Sequence, residues 1–305
     1  MLCDFYLCNS NLNSLVIKVL LYTIKGQLVM KQFLTVISIV LLASFLAHSQ
    51  VPKNLYGNNP SAGNYASVNG INVYYEIYGE GKPLLLIHGN GGSIKGMAPK
   101  IDYFKNRYQV IAMDSRGHGN TKDIGDSLTY QNMTADINAV LDVLNIDSCY
   151  IWGQSDGGII GLKLAIDYPK KVKKLAVFGA NLRPEPNVVY AEIEDWLNKA
   201  LANTTDDYKL RLLNLLKYQP QIPTSSLSKI SAPTLIMTGD RDVIKLEHSI
   251  EIFSNIKQSN LFVMPGATHF GSYEKTDLFF KILDDFFTKP ISTNSTYDII
   301  KDWEF

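Results

Sequence analysis

The sequence contains little cysteine and has no excess of charge of either sign. Three cysteines occur among 305 residues, and Cys149 is the only one beyond position 8, which excludes a framework of disulfides. Basic and acidic side chains number 29 each, so there is no long-range field to attract nucleic acid, and we expect no nucleic-acid partner. The histidines lack metal-ligand spacing and no glycine-rich phosphate loop is followed by lysine, so we expect no cofactor.

The N-terminal segment has the layout of a targeting sequence. A basic start at Met30-Lys31-Gln32 precedes an apolar run from Phe33 to Ala47, with small residues at positions −3 and −1 before Gln50. This pattern predicts a signal peptide at 30–49 and an exported protein, periplasmic or secreted, with 1–29 as a non-native or atypical extension. The apolar run is shorter than the ~20 residues of a membrane-spanning helix. We therefore expect no stable membrane insertion after cleavage, with an uncleaved N-terminal anchor as the alternative.

Short apolar runs alternate with amphipathic helical segments over residues 65–288. Asn69-Gly70 precedes the run Ile71 to Tyr78, a hairpin signal that predicts antiparallel pairing of the first two strands. The later runs are continuously apolar, as expected for parallel strands buried on both faces. They are Leu84 to Ile87, Val110 to Met113, Tyr150 to Trp152, Leu175 to Phe178, Leu235 to Met237 and Leu261 to Val263. The fold class is therefore α/β, with a mostly parallel central sheet and helices on both faces.

One interval interrupts this alternation. Residues 184–223 show no strand signal but two helical stretches, and they are too few for an independent core. We expect them to form a small helical lid over the carboxyl ends of the strands, where ligands bind in such sheets. Four apolar lid residues are candidates to line a pocket or to anchor the lid: Val188, Val189, Trp196 and Leu197. Residues 50–64 are predicted to be a linker, and 289–305 a loosely held C-terminal tail.

A glycine-rich turn provides the first chemical motif. Gly153-Gln154-Ser155-Asp156-Gly157-Gly158 lies between the strand that ends at Trp152 and the next helix. A G-x-S-x-G sequence between a strand and a helix is typical of a nucleophile elbow, in which small residues let a tight turn expose the serine hydroxyl. A glycine-rich turn with a serine helix cap is the alternative. Ser155 is therefore the candidate nucleophile.

A second glycine-rich loop, His88-Gly89-Asn90-Gly91-Gly92, follows the strand that ends at Ile87. Stabilising an oxyanion requires two converging N–H donors, and the natural pair is the backbone N–H of Asp156 and that of Asn90. The Asp156 side chain leaves the elbow in another direction. We expect it to orient the oxyanion turn or the substrate.

With Asp114-Ser115-Arg116-Gly117-His118-Gly119 after the fourth strand, residues 65–287 resemble the α/β-hydrolase family. The resemblance implies an α/β-hydrolase fold and a triad in the order serine, acid, histidine. In the family, the motif that contains Arg116 and His118 is mainly structural, and His88 is more often structural than catalytic.

The resemblance also indicates the other two members of the triad. His269 follows a strand in Pro265-Gly266-Ala267-Thr268-His269, similar to the histidine loop of the family, and would be the general base. Gly239-Asp240-Arg241-Asp242 is similar to the family's acid loop, and the family position is Asp242, with Asp240 as the rival. His248 lies in a predicted helix, where we expect a surface residue.

These residues predict a serine hydrolase for a small-molecule substrate. The leading hypothesis is cleavage of a carboxylic ester through an acyl-enzyme intermediate. The same triad serves amidases, aminopeptidases and carbon–carbon bond hydrolases, and fold and triad together do not separate these reactions. A ligand-binding, receptor-like member of the family is the hypothesis from another class.

Overall fold

The computed structural model describes residues 55–122, 125 and 128–303. The predicted N-terminal extension at 1–29, the signal peptide at 30–49 and the first part of the linker lie outside these residues. Within the described ranges, no helix combines the length and the apolar character that crossing a bilayer requires.

Eight strands form one sheet in the order β1-β2-β4-β3-β5-β6-β7-β8. They are β1 (Gly63–Val68), β2 (Ile71–Tyr78), β3 (Lys82–Ile87), β4 (Tyr108–Met113), β5 (Cys149–Gln154), β6 (Val172–Phe178), β7 (Thr234–Arg241) and β8 (Ser259–Thr268). Strand β2 pairs antiparallel with β1 and β4, and the remaining neighbours are parallel. The predicted fold class is confirmed.

From β3 onwards, α-helices alternate with the strands in the described residues, with two helices between β6 and β7 and three after β8. They are α1 (Ala98–Phe104), α2 (Tyr130–Val143), α3 (Asp156–Asp167), α4 (Ala191–Ala202), α5 (Asp207–Tyr218), α6 (Leu246–Ser254), α7 (Gly271–Glu274), α8 (Thr276–Thr288) and α9 (Thr296–Ile300). Leu84, Leu85, Leu86 and Ile87 are all fully buried. Because successive strand residues point to opposite faces, both faces of the sheet are covered at β3.

The first hairpin forms as its sequence predicts. Asn69 and Gly70 have φ angles of 47° and 79°, and they join Val68 of β1 to Ile71 of β2, which are paired. Two consecutive residues with positive φ make a turn whose twist matches that of the flanking strands. Asparagine and glycine tolerate this backbone better than other residues, so the turn sets the register of the sheet edge.

The second half of the predicted linker is not a free connection, because it packs against β2. Two backbone N–H groups and two tyrosine hydroxyls donate to the buried Glu76 carboxyl, at 2.8 to 2.9 Å: those of Gly57, Asn59, Tyr74 and Tyr78. A fully buried carboxyl group requires such partners, because a buried acceptor without a hydrogen bond lowers the free energy of unfolding by about 1–3 kcal/mol. The domain therefore includes residues before Tyr65, and a hydropathy pattern does not reveal this because the partners are polar.

His248 is another difference, because it is buried in α6 instead of lying on the surface. Its Nε2 accepts a hydrogen bond from the backbone N–H of Leu182 at 3.0 Å, and its Nδ1 donates to Glu251 at 2.9 Å. Burial lowers the pKa of the ring, which fits the neutral form that this bonding requires. Leu182, which lies just before the lid, contacts this face of α6, and helical periodicity gives no sign of that contact.

The predicted C-terminal tail contains a short helix, α9. Ser295 accepts a hydrogen bond from the Asp298 backbone N–H, and the Asp298 carboxylate accepts one from the Ser295 N–H, which makes a capping box. Apolar side chains of this segment, such as Tyr297 and Ile299, are exposed. The tail is thus locally ordered although it buries little apolar surface.

Candidate active site

Ser155 occupies the sharp turn between β5 and α3. Its φ and ψ of 53° and −116° are unusual for a residue with a side chain and are a strained backbone conformation. A Cβ atom on Gly153 would lie 2.1 Å from the Gly157 oxygen, and one on Gly157 would lie 2.2 Å from the Ile87 oxygen. The Ser155 N–H donates to the Phe178 carbonyl at 2.8 Å. The turn therefore has the packing of a nucleophile elbow, in which both flanking glycines are required.

The segments that carry Asn90 and Asp156 are joined by their side chains. Asn90 Nδ2 donates to Asp156 Oδ2 at 3.0 Å. The Asp156 N–H is the first of α3 and has no acceptor within the helix. In the residues that the structure describes, neither the Asn90 N–H nor the Asp156 N–H donates to a backbone carbonyl in a turn or loop. Burial raises the pKa of the Asp156 carboxyl, and the hydrogen bond from Asn90 opposes this effect.

His269 and Asp242 are in direct contact. His269 Nδ1 lies 2.7 Å from Asp242 Oδ1, and the Asp242 side chain is fully buried. The same carboxylate accepts the Ile244 N–H at 3.0 Å and the Thr238 hydroxyl at 3.2 Å, so its orientation is fixed from three sides. Asp240, the rival acid, is exposed. The structure therefore brings Asp242, and not Asp240, against the histidine.

Gly179 is a site residue that the sequence analysis missed. It follows β6 with φ of 63°, and its N–H donates to Met237 of β7 at 3.0 Å. A Cβ atom there would lie 2.6 Å from His269 Cε1 and 3.2 Å from Asp242 Oδ2. The pair of side chains needs this space, so only glycine fits. In the sequence, the feature that could have indicated this residue is a glycine directly after an apolar strand.

The Asp114–Gly119 motif shapes the loop after β4. The Asp114 carboxylate accepts backbone N–H groups of Ile94 and Asn120, each at 2.8 Å. Arg116 and Asp136 form a buried ion pair at 2.7 Å. These contacts connect the loop to the chain on both sides and place no side chain of the motif among the cavity-lining residues.

His88 connects this loop to the glycine-rich loop after β3, and His118 packs beside it. His88 Nε2 accepts the Ser115 N–H at 3.0 Å, and its Nδ1 donates to the Gly89 carbonyl at 2.7 Å. Burial lowers the pKa of His88 to about 4, so the ring is neutral at pH 7. His118 Nδ1 donates to the Arg116 carbonyl at 3.0 Å. The His88 ring is therefore a hydrogen-bonded link between two backbone segments, whereas the His118 ring bonds within its own motif and packs against His88, with ring centroids 5.0 Å apart.

Ser155 and His269 open into a cavity of about 900 Å³. The lid helices α4 and α5 form much of its wall. Among the expected lid residues, Val189, Trp196 and Leu197 line the cavity, whereas Val188 is fully buried away from it. Further apolar or aromatic lining residues come from the lid and from the histidine loop: Tyr190, Ile193, Leu216, Tyr218, Phe270 and Tyr273. The site therefore combines a polar reaction centre with a large apolar chamber.

The sheet order and its connections are those of the α/β-hydrolase fold. A sequence profile described as alpha/beta hydrolase fold matches residues 82–217. Together with the sheet order and the solved neighbour described next, this match shows that the chain has the α/β-hydrolase fold.

Characterised relatives are hydrolases that act on different bonds. The chain is 28% identical to the serine hydrolase BPHL of Mus musculus over 249 residues, which is 72% of this chain and 84% of that protein. It is 24% identical over 274 residues to a 2-hydroxy-6-oxononadienedioate/2-hydroxy-6-oxononatrienedioate hydrolase of Comamonas testosteroni, covering 73% of this chain and 93% of the relative. The enol-lactonase structure from Burkholderia xenovorans superposes with a TM-score of 0.63 at 22% identity, over 74% of this chain and 100% of that one, and it supports the fold alone.

The space beside Gly179 leads to a testable prediction. We expect Gly179→Ala to lower the hydrolytic kcat by about 10²-fold or more, because the new methyl group displaces His269 by an ångström or so. Gly70→Ala is the matched control: Gly70 also has positive φ, but a Cβ atom there meets nothing within 4 Å. The control should lose about 1 kcal/mol of unfolding free energy and keep its kcat. Equal kcat values in the two folded variants would contradict the steric role of Gly179.

Proposed function

We propose that the chain is a serine hydrolase that cleaves carboxylic esters through an acyl-enzyme intermediate. Ser155 is the nucleophile, His269 the general base and Asp242 the acid that orients the ring. The main support for this proposal is the hydrogen bond between His269 Nδ1 and Asp242. His269 lines the same cavity as Ser155. The hydrogen bond fixes the tautomer in which Nε2 is free to accept a proton.

In the proposed reaction, Ser155 Oγ attacks the ester carbonyl while His269 Nε2 takes the hydroxyl proton. The carbonyl oxygen becomes an anion and accepts hydrogen bonds from the backbone N–H groups of Asn90 and Asp156. His269 then returns the proton to the leaving alcohol, and an acyl-serine remains. A water molecule gives a proton to His269 Nε2 and attacks this ester. As the second oxyanion collapses, His269 returns that proton to Ser155 Oγ, which releases the acid and restores the serine.

The charges that line the cavity favour an uncharged ester substrate over a doubly negative substrate such as the dioate named for the Comamonas relative. A dioate substrate needs cationic partners for its carboxylates. Among the cavity-lining residues that the structure describes, Lys217 is the only lysine or arginine, and its ammonium group donates to Asn198 at 2.7 Å. Glu185 and Glu194 also line the cavity and would repel an anion. An uncharged acyl group with an apolar chain fits these walls best.

Those two glutamates support a second candidate, a substrate that carries an amine. Among the acidic lid residues, Glu185 and Glu194 line the cavity, whereas Glu192 and Asp195 do not. Carboxylates near the reaction centre would stabilise an ammonium group, as in an aminopeptidase or amidase. A direct comparison of uncharged and amine-bearing substrates separates this candidate from the first.

A substrate panel on the purified protein tests the reaction type. We expect turnover of p-nitrophenyl esters with uncharged acyl chains, and little turnover of the matching anilides or of a dienedioate carbon–carbon substrate. Ser155→Ala should lower kcat by about 10⁴-fold or more without unfolding the protein. Faster turnover of an amine-bearing ester or amide would favour the second candidate. Labelling of Ser155 by a fluorophosphonate without turnover of any substrate would favour a receptor-like protein.

The identity of the acid is tested by two single substitutions. Asp242→Asn should lower kcat by about 10⁴-fold, because an amide at this position favours the wrong histidine tautomer. Asp240→Asn, on an exposed side chain two residues away, should change kcat by about twofold or less. Steady-state kinetics on both variants, with circular dichroism as the folding control, measure this. The reverse pattern would assign the role to Asp240 and leave Ser155 and His269 in place.

A further inference from the structure

Gln154 immediately precedes the proposed nucleophile, and its side chain reaches across to the segment that carries the histidine. Its Nε2 donates to the backbone carbonyl of His269 at 2.8 Å, and its Oε1 accepts the Ser272 hydroxyl at 2.7 Å. A carbonyl oxygen can only accept a hydrogen bond, so the amide nitrogen must face His269. Gln154 and Ser272 are both buried, with 5% and 1% of their surface exposed.

The histidine-bearing segment, Ala267–Glu274, pairs with the sheet only at its start, where Thr268 is the partner of Arg241 in β7. It leaves β8, which in the described sheet pairs only with β7. Glu274 accepts the Thr268 N–H at 2.9 Å and the Thr268 hydroxyl at 2.6 Å, but both bonds lie within the segment. The Asp242 bond fixes the ring but comes from a different loop. Gln154 is therefore a direct link between the histidine-bearing segment and the elbow.

We propose that Gln154 is a positioning residue that sets the alignment of His269 Nε2 with Ser155 Oγ. This inference rests on the proposed function. The elbow is rigid, since its glycines are packed against backbone atoms, and Gln154 shares that rigidity because it is the last residue of β5. Through its hydrogen bond to the His269 carbonyl, the Gln154 carboxamide holds the backbone of His269 at a fixed distance from the elbow. A shift of about 1 Å between reacting groups can lower a rate by about 10²-fold, so this link affects kcat more than substrate binding.

The two hydrogen bonds of the carboxamide can be removed separately. Gln154→Glu retains an acceptor for Ser272 but loses the donor to the His269 carbonyl when its carboxyl is ionised. Ser272→Ala removes the bond that Gln154 accepts and keeps the bond that Gln154 donates to the His269 carbonyl. Gln154→Met keeps the size of the side chain and removes both bonds. Comparing the three variants separates an effect on the histidine from a general loss of packing.

We expect Gln154→Met, and Gln154→Glu at pH 8, to lower kcat by about 10- to 100-fold, with KM within about twofold of the original. Ser272→Ala should keep kcat within about threefold. The rate of Ser155 phosphonylation by a small fluorophosphonate should fall in parallel with kcat. This reagent makes few contacts with the apolar cavity, so its rate reports the reactivity of Ser155 and not substrate binding. Denaturant unfolding of each variant shows whether the fold is retained; if Gln154→Met does not fold, Gln154→Glu decides.

Two results would overturn the inference: an unchanged kcat in the folded Gln154 variant, or a Ser272→Ala variant as slow as Gln154→Glu. A rise in KM with kcat unchanged would also contradict it, because it would assign Gln154 to substrate binding. The failure of the proposed function has a different signature. In that case Ser155→Ala retains activity, whatever the Gln154 variants do.

Discussion

The structure of the site depends on the close approach of backbone atoms at the turn after β5. Gly157 lies so near the Ile87 carbonyl that no side chain fits, and Ser155 takes a positive φ that costs about 1–3 kcal/mol in a residue with a side chain. The buried parallel strands and the hydrogen bond from Ser155 to Phe178 stabilise this strained turn. Because β3, β5 and β6 end at the same edge, their loops converge around the serine.

Hydrogen bonds connect the remaining groups to this turn. Asn90 approaches through its bond to Asp156, and the histidine-bearing segment approaches through the bond from Gln154. Gly179, at the end of the adjacent strand, leaves the space in which His269 and Asp242 meet. The lid helices then enclose an apolar cavity over the same edge. Polar contacts thus fix the reaction centre, while apolar side chains define the room for the substrate.

Local sequence signals predict the parts that local physics determines. The Asn69-Gly70 hairpin, the buried strands and the glycine-flanked elbow follow from backbone conformation and side-chain alternation. The choice of Asp242 over Asp240 came from the family position, and the contact with His269 agrees with it. Gly179, Gln154, the burial of His248 and the packing of residues 55–62 were missed. Each depends on partners distant in sequence, and neither hydropathy nor spacing identifies such polar contacts.

The proposed reaction depends on Ser155 being a nucleophile that His269 activates. Intact-mass and peptide mass spectrometry after incubation with a fluorophosphonate test it most directly, since the reagent bonds covalently to a serine that a general base activates. We expect one adduct per chain, on Ser155, with loss of ester hydrolysis in proportion to labelling and no adduct in Ser155→Ala. An adduct on another residue, or undiminished hydrolysis in fully labelled protein, would contradict it.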